Sequence, residues 1–182
     1  MRWSVILAVI SAGIFALSGC SQTGSRLDSE WQMSAAAADY PVTYSDRLTN
    51  KLSETEVRQL TARALKIAAC VQDDDKSAAF DEMRFDEARE EFNTEMSRSE
   101  YWDMIRAEDW VTDCKISTEP SDIIKAGQAD AESAEYPDKT FDIGIDVKCD
   151  KGTAFILFHA FKLSSGEYAI ELERVYIFSS SE

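Results

Sequence analysis

The chain reads as an α+β domain, with N-terminal helices packed on a C-terminal antiparallel β-sheet built as a meander. Three observations predict this. Apolar residues recur three or four positions apart through the first half of the domain and two apart from Trp110 onward. Two capping boxes, Ser53 with Glu56 and Ser97 with Glu100, mark helix starts. Asp150-Lys151-Gly152 and Ser164-Ser165-Gly166 separate apolar runs as hairpin turns do.

The first element is an export signal. Met-Arg-Trp-Ser carries one positive charge and is followed by the uncharged run Val5 to Leu17. A membrane-spanning helix needs about 20 apolar residues, and this run is shorter and interrupted by Ser11 and Gly13. It ends in Leu17-Ser18-Gly19-Cys20, which resembles the lipobox of bacterial lipoproteins at all four positions. The resemblance implies diacylglyceryl transfer to the Cys20 thiol, cleavage between Gly19 and Cys20, and acylation of the new amino terminus. Several acyl chains make a stable anchor where one is marginal, since each buried methylene adds about 0.8 kcal/mol. Residue 21 is Ser, whereas Asp there tends to hold enterobacterial lipoproteins in the inner membrane. The implied address is the outer membrane, facing the periplasm.

From residue 20 to residue 52 no period is sustained, and the stretch is expected to be the lipidated terminus and a tether. Docking of Tyr40-Pro41-Val42-Thr43-Tyr44 on the domain as an extended arm is the alternative. Residues 53–182 then form a single domain. Val57, Leu60, Ala64, Ile67, Ala68 and Val71 share one face of a helix from Ser53 to Gln72. Phe85, Ala88, Phe92 and Met96 predict a second amphipathic helix over about residues 78–96. A short third helix runs through Tyr101, Trp102 and Ile105. Trp110, Thr112, Cys114 and Ile116 alternate with Val111, Asp113, Lys115 and Ser117 as in a half-buried strand. Residues 120–138 break the pattern, with a helical turn open to Ser121 to Gln128. Phe141, Ile143, Ile145, Val147 and Cys149 share one strand face. Thr153 to Leu163 is apolar on both faces, and Tyr168 to Phe178 completes the meander. This order resembles the NTF2-like and cystatin-like folds, a likeness in element order alone that implies no function.

Cleavage would remove Arg2 and no acid, taking the formal charge from −15 to −16. Such a balance excludes nucleic acid as a partner and disfavours lying flat on an anionic bilayer, while favouring a basic macromolecule. With Cys20 lipidated, Cys70, Cys114 and Cys149 remain. One disulfide is expected, Cys114 to Cys149, because both fall on apolar strand faces, with Cys70 as the alternative partner. No CxxC pair, P-loop or GxSxG elbow occurs, and the acidic run from Asp73 lacks the glycine and glutamate of an EF-hand, carrying Ala78 and Arg84 instead. No metal or cofactor is expected. The one histidine, His159, lies mid-strand with no sequence sign of a nucleophile or an orienting carboxylate, and is read as structural. No catalytic residue is assigned.

The acids concentrate in two places. Asp73 to Glu100 holds eleven acidic and four basic residues, and Glu119 to Asp138 six acids and one lysine. Glu87, Glu90, Glu91, Glu95, Glu119, Asp122, Asp130 and Glu132 are therefore the candidate contacts to a basic protein. Acidic lipoproteins of this general type include inhibitors of cell-wall hydrolases and immunity proteins. The expected role is non-catalytic binding of that kind; an accessory subunit of an envelope or secretion assembly, or a small-ligand binder with an NTF2-like pocket, are the alternatives.

Overall fold

The structure, a computed structural model, describes residues 38–46, 51–92, 95–129 and 139–179. Among them are five helices and a five-stranded sheet in which strand order follows chain order. The strands are β1 (Val42–Tyr44), β2 (Ile123–Ala129), β3 (Thr140–Cys149), β4 (Gly152–Lys162) and β5 (Tyr168–Ser179). The helices are α1 (Glu54–Gln72), α2 (Lys76–Met83), α3 (Phe85–Phe92), α4 (Arg98–Arg106) and α5 (Trp110–Asp113). β2 to β5 form an antiparallel meander, and β1 joins it in parallel, so the sheet is mixed.

Both capping boxes form. The Ser53 hydroxyl accepts from the Glu56 amide at 3.2 Å and the Glu56 carboxylate accepts from the Ser53 amide at 2.8 Å. Ser97 and Glu100 repeat the arrangement at the start of α4. These reciprocal bonds satisfy amides that the first helical turn leaves without partners. α1 buries Val57, Leu60, Ala64, Leu65, Ile67, Ala68 and Val71 against the inner sheet face, which supplies Ile143, Ile145, Val147, Ile156, Phe158, Ile170 and Leu172.

Four expectations are corrected. Residues 40–44, read as part of a tether, belong to the domain: Tyr40 is buried under the Arg58 guanidinium, 4.5 Å from its ring centre, and Val42–Tyr44 pairs with Ala126–Gln128. The arm docks because β2 offers a free edge, and Leu52 is fixed when its amide donates to Gln128 Oε1.

The helix expected over residues 78–96 is two helices, broken at Arg84, whose backbone is left-handed (φ 51°). At about 100° per residue, Ala79, Phe80 and Met83 would lie opposite Phe85, Ala88 and Phe92 on one straight helix. The break turns both stripes inward, bringing the Phe80 and Phe85 rings to 4.8 Å, and leaves Met96 exposed.

The strand expected from Trp110 is instead one helical turn and an irregular segment. Trp110 and Cys114 are buried one turn apart while Thr112 is exposed, a spacing that fits a helix as well as a strand. The Gln72 amide replaces a ladder here, donating to the Trp110 and Cys114 carbonyls at 3.3 and 2.7 Å and accepting from the Ile116 amide at 3.2 Å. The missing strand is β2, in the segment read as irregular; among the described residues of that segment only Pro120–Asp122 is helical, a single 3-10 turn.

Cys114 is paired with Cys149, Cα atoms 5.7 Å apart, and Cys70 is buried in the core outside that bridge. Ile116 bridges to Cys149 beside it.

Candidate functional site

Two surfaces stand out, one on each side of the sheet. The first is the solvent side of the helices. Each arginine between residues 76 and 113 is turned onto the protein. Arg84 pairs with Glu87 and Glu167. Arg89 lies 4.4 Å from the Phe85 ring centre and pairs with Glu171 at 3.1 Å. Arg98 covers the Phe80 ring and pairs with Asp86, while Arg106 covers Trp102 and pairs with Asp74. The carboxylates behave oppositely. Glu90, Glu95, Asp103 and Asp109 are exposed and form no ion pair with another described residue. Cations directed inward and anions outward leave negative charge uncompensated at the surface.

The residues expected to contact a partner are distributed unequally over this surface. Glu90 and Glu95 are free and exposed. Glu87 is exposed but engaged with Arg84. Glu91 is structural: its carboxylate accepts from the Ser164 amide and hydroxyl at 2.8 and 2.7 Å and pairs with Lys139 at 3.2 Å, holding α3 to the β4–β5 turn. These donors hold the Glu91 carboxyl below the usual glutamate range. Glu119 is exposed at the start of the 3-10 turn, and Asp122 is 3.4 Å from Lys148 on the sheet. Asp130, Glu132 and Cys20 lie outside the described residues. Asp103 and Asp109 were missed because the charge census stopped at Glu100.

The second surface is the outer face of the sheet. Residues opposite one another in an antiparallel pair share a face, so this face carries Asp142, Gly144, Asp146 and Lys148 of β3 and Thr153, Phe155, Leu157, His159 and Phe161 of β4. At one end α3 folds over it, packing Ala88 and Phe92 with Phe161, Leu163 and Ala169. Next comes an ionic cluster. His159 Nδ1 is 2.5 Å from Asp142 Oδ1 and its Nε2 is 3.2 Å from Glu173 Oε2, while Glu171 stands opposite His159 in the ladder and pairs with Arg89. Glu173 reaches the ring because a bulge opposite Leu157 and Phe158 inserts an extra residue in β5. The hydrogen bond from the His159 ring to the Asp142 carboxylate, against an opposing effect of burial, raises the His159 pKa above 6.5, with further help from the charges of Asp142, Glu173 and Glu171. Burial pushes Glu171 up as well, opposed by Arg89 and His159. When protonated, the ring can donate to a carboxylate on each side. In that state it has no lone pair with which to take a proton.

Beyond the cluster no described helix covers the face. Phe155 and Tyr176 stand side by side, ring centres 6.2 Å apart, next to Leu157 and Phe178. Gly144 makes room for the Phe155 ring, since a Cβ there would lie 2.8 Å from it.

Among the described residues, Cys114, Cys149 and Asp150 have metal-ligating proximity. Both sulfurs are committed to the disulfide, and Asp150 accepts from the Lys115 amide at 2.8 Å. A cleft of about 360 Å³ between α1, α2 and the β4–β5 turn is lined by Glu56, Arg63, Glu82, Arg84 and Tyr168, which bond to protein groups around it. No described helix is long and apolar enough to cross a membrane. Comparison with family models, curated proteins and solved structures finds no match. Function is therefore read from the chain's own surfaces.

Proposed function

We propose that this protein is a non-catalytic binding protein of the cell envelope, held by lipid on Cys20 to the periplasmic side of the outer membrane, and that its acidic helical surface recognises a basic protein. One observation carries the reading: the arginines of α2 to α4 are spent on internal rings, carbonyls and carboxylates, whereas Glu90, Glu95, Asp103 and Asp109 face solvent without partners. A surface that merely kept the chain soluble would have no need to withdraw its cations. Concentrated negative potential steers a basic partner and accelerates encounter, most strongly at low ionic strength. The described chemistry favours binding over catalysis, because both nitrogens of the one histidine are occupied by carboxylates.

The test is purification of the tagged, lipidated chain from envelopes at low salt. A stoichiometric basic protein should accompany it, elute as salt is raised, and be absent when Glu90, Glu95 and Asp103 are changed to lysine. Retention of the same protein by the triple variant, or a partner without basic charge, would overturn the assignment. Co-purification with several membrane subunits would point to an accessory role in an assembly instead.

A further inference from the structure

The uncovered end of the outer sheet face has a composition unlike the rest of the molecule. Of the large apolar side chains exposed among the described residues, Ile124, Tyr176 and Phe178 lie here; Tyr176 and Phe178 are opposite Phe155 and Thr153 in the ladder. Lys125, Lys148 and Arg174 border them, and Lys151 sits in the adjoining turn. The anions on this face are each set against a cation: Asp146 opposite Lys125, and Glu173 on His159. α4, which carries Asp103, packs on the other side of the sheet, and α3, which carries Glu90, lies at the opposite end of this face.

We propose that this end of the face, Ile124, Phe155, Tyr176 and Phe178 with Lys125, Lys148 and Arg174, rests on the phospholipid surface to which the chain is anchored. The proposal rests on the lipid-anchor reading of Cys20. Aromatic and aliphatic side chains gain by entering the boundary between headgroups and acyl chains, and lysine and arginine reach phosphates from the same depth. Net charge would repel an anionic bilayer if it were evenly spread. At this end the carboxylates are set against cations, Asp146 opposite Lys125, Asp122 beside Lys148 and Glu173 on His159, so a domain resting on it brings little unpaired negative charge to the phosphates. Seventeen residues separate Cys20 from Ala38, and even fully extended they span at most roughly 60 Å, so an anchored domain is always within reach of the bilayer. The orientation also turns the helices outward, toward an arriving partner.

The experiment places a tryptophan on each side of the sheet, Phe178→Trp or Asp103→Trp, in the full-length lipidated protein reconstituted into phosphatidylcholine vesicles with and without phosphatidylglycerol. Flotation reports the anchor, and quenching by lipids brominated along the acyl chain reports contact. The emission that F178W adds to the wild-type signal should fall by at least half relative to unbrominated vesicles and lie to the blue, while the emission that D103W adds is unchanged. Vesicles that float the protein without quenching F178W would overturn the docking and leave the anchor standing. Equal quenching of both probes would overturn it too, as would an F178W emission already blue-shifted in detergent with the protein sedimenting as a dimer, which would assign the face to a second copy. Failure to float would end both the anchor reading and the docking.

Discussion

His159 is held by Asp142 and Glu173 and faces Glu171, so protonation of its ring offsets carboxylates that share one sheet face. Its folded pKa is raised above the unfolded value of 6.5, so its contribution to stability is complete below that value and is lost as pH rises through the higher folded one. Denaturant midpoints of the wild type should therefore fall over that window, and those of His159→Gln should be flat across it. The single imidazole gives one resolvable NMR titration, which should report a midpoint above 6.5. Gly144 makes a second residue-scale prediction. Gly144→Ala forces a methyl group against the Phe155 ring at 2.8 Å and should cost about 1–3 kcal/mol by urea unfolding, with little loss in a Gly144→Ala, Phe155→Leu double variant.

At the scale of elements, the disulfide ties the segment after α5 to the end of β3 across 35 residues. Restricting the unfolded chain over that loop stabilises by about 3–4 kcal/mol, so Cys114→Ala with Cys149→Ala should lower the urea midpoint accordingly, with the fold retained. Ser53→Ala removes the hydroxyl from a capping box and should cost about 0.5–2 kcal/mol, because α1 nucleates much of the core. The capping boxes, the first helix and the β3–β5 hairpins were legible because each signal is local. The two-residue β3–β4 turn, which sets Cys149 opposite Gly152, also places Asp142 opposite His159. The orienting carboxylate could have been found by counting back from that turn. Glu173 could not, because its approach depends on a bulge no residue type announces. The break at Arg84 left a trace in the phase of its two apolar stripes, whereas the fate of Trp110–Ile116 was decided by Gln72, far off in sequence. β2 escaped notice because Lys125, Gly127 and Gln128 interrupt any alternation, and its partners on both sides supply the order.

For the whole molecule, exposed carboxylates gather on the helices and exposed aromatic side chains at one end of the outer sheet face. The two candidate acidic segments were legible as composition, but not which carboxylates are available: Glu91 belongs to the β4–β5 turn, and Asp103 completes the surface from a helix outside the counted run. Cys20→Ala should abolish labelling by a fatty-acid analogue and release the chain from membranes; a labelled, membrane-bound variant would contradict the lipobox reading. The most direct measurement of the account is the association rate of the co-purifying basic protein with wild type and with the Glu90→Lys, Glu95→Lys, Asp103→Lys variant across ionic strength. The account predicts a wild-type rate that falls steeply with salt and a variant at least tenfold slower at low salt, the two converging as screening shortens the reach of the charges. Equal rates at low salt, with circular dichroism unchanged, would contradict it.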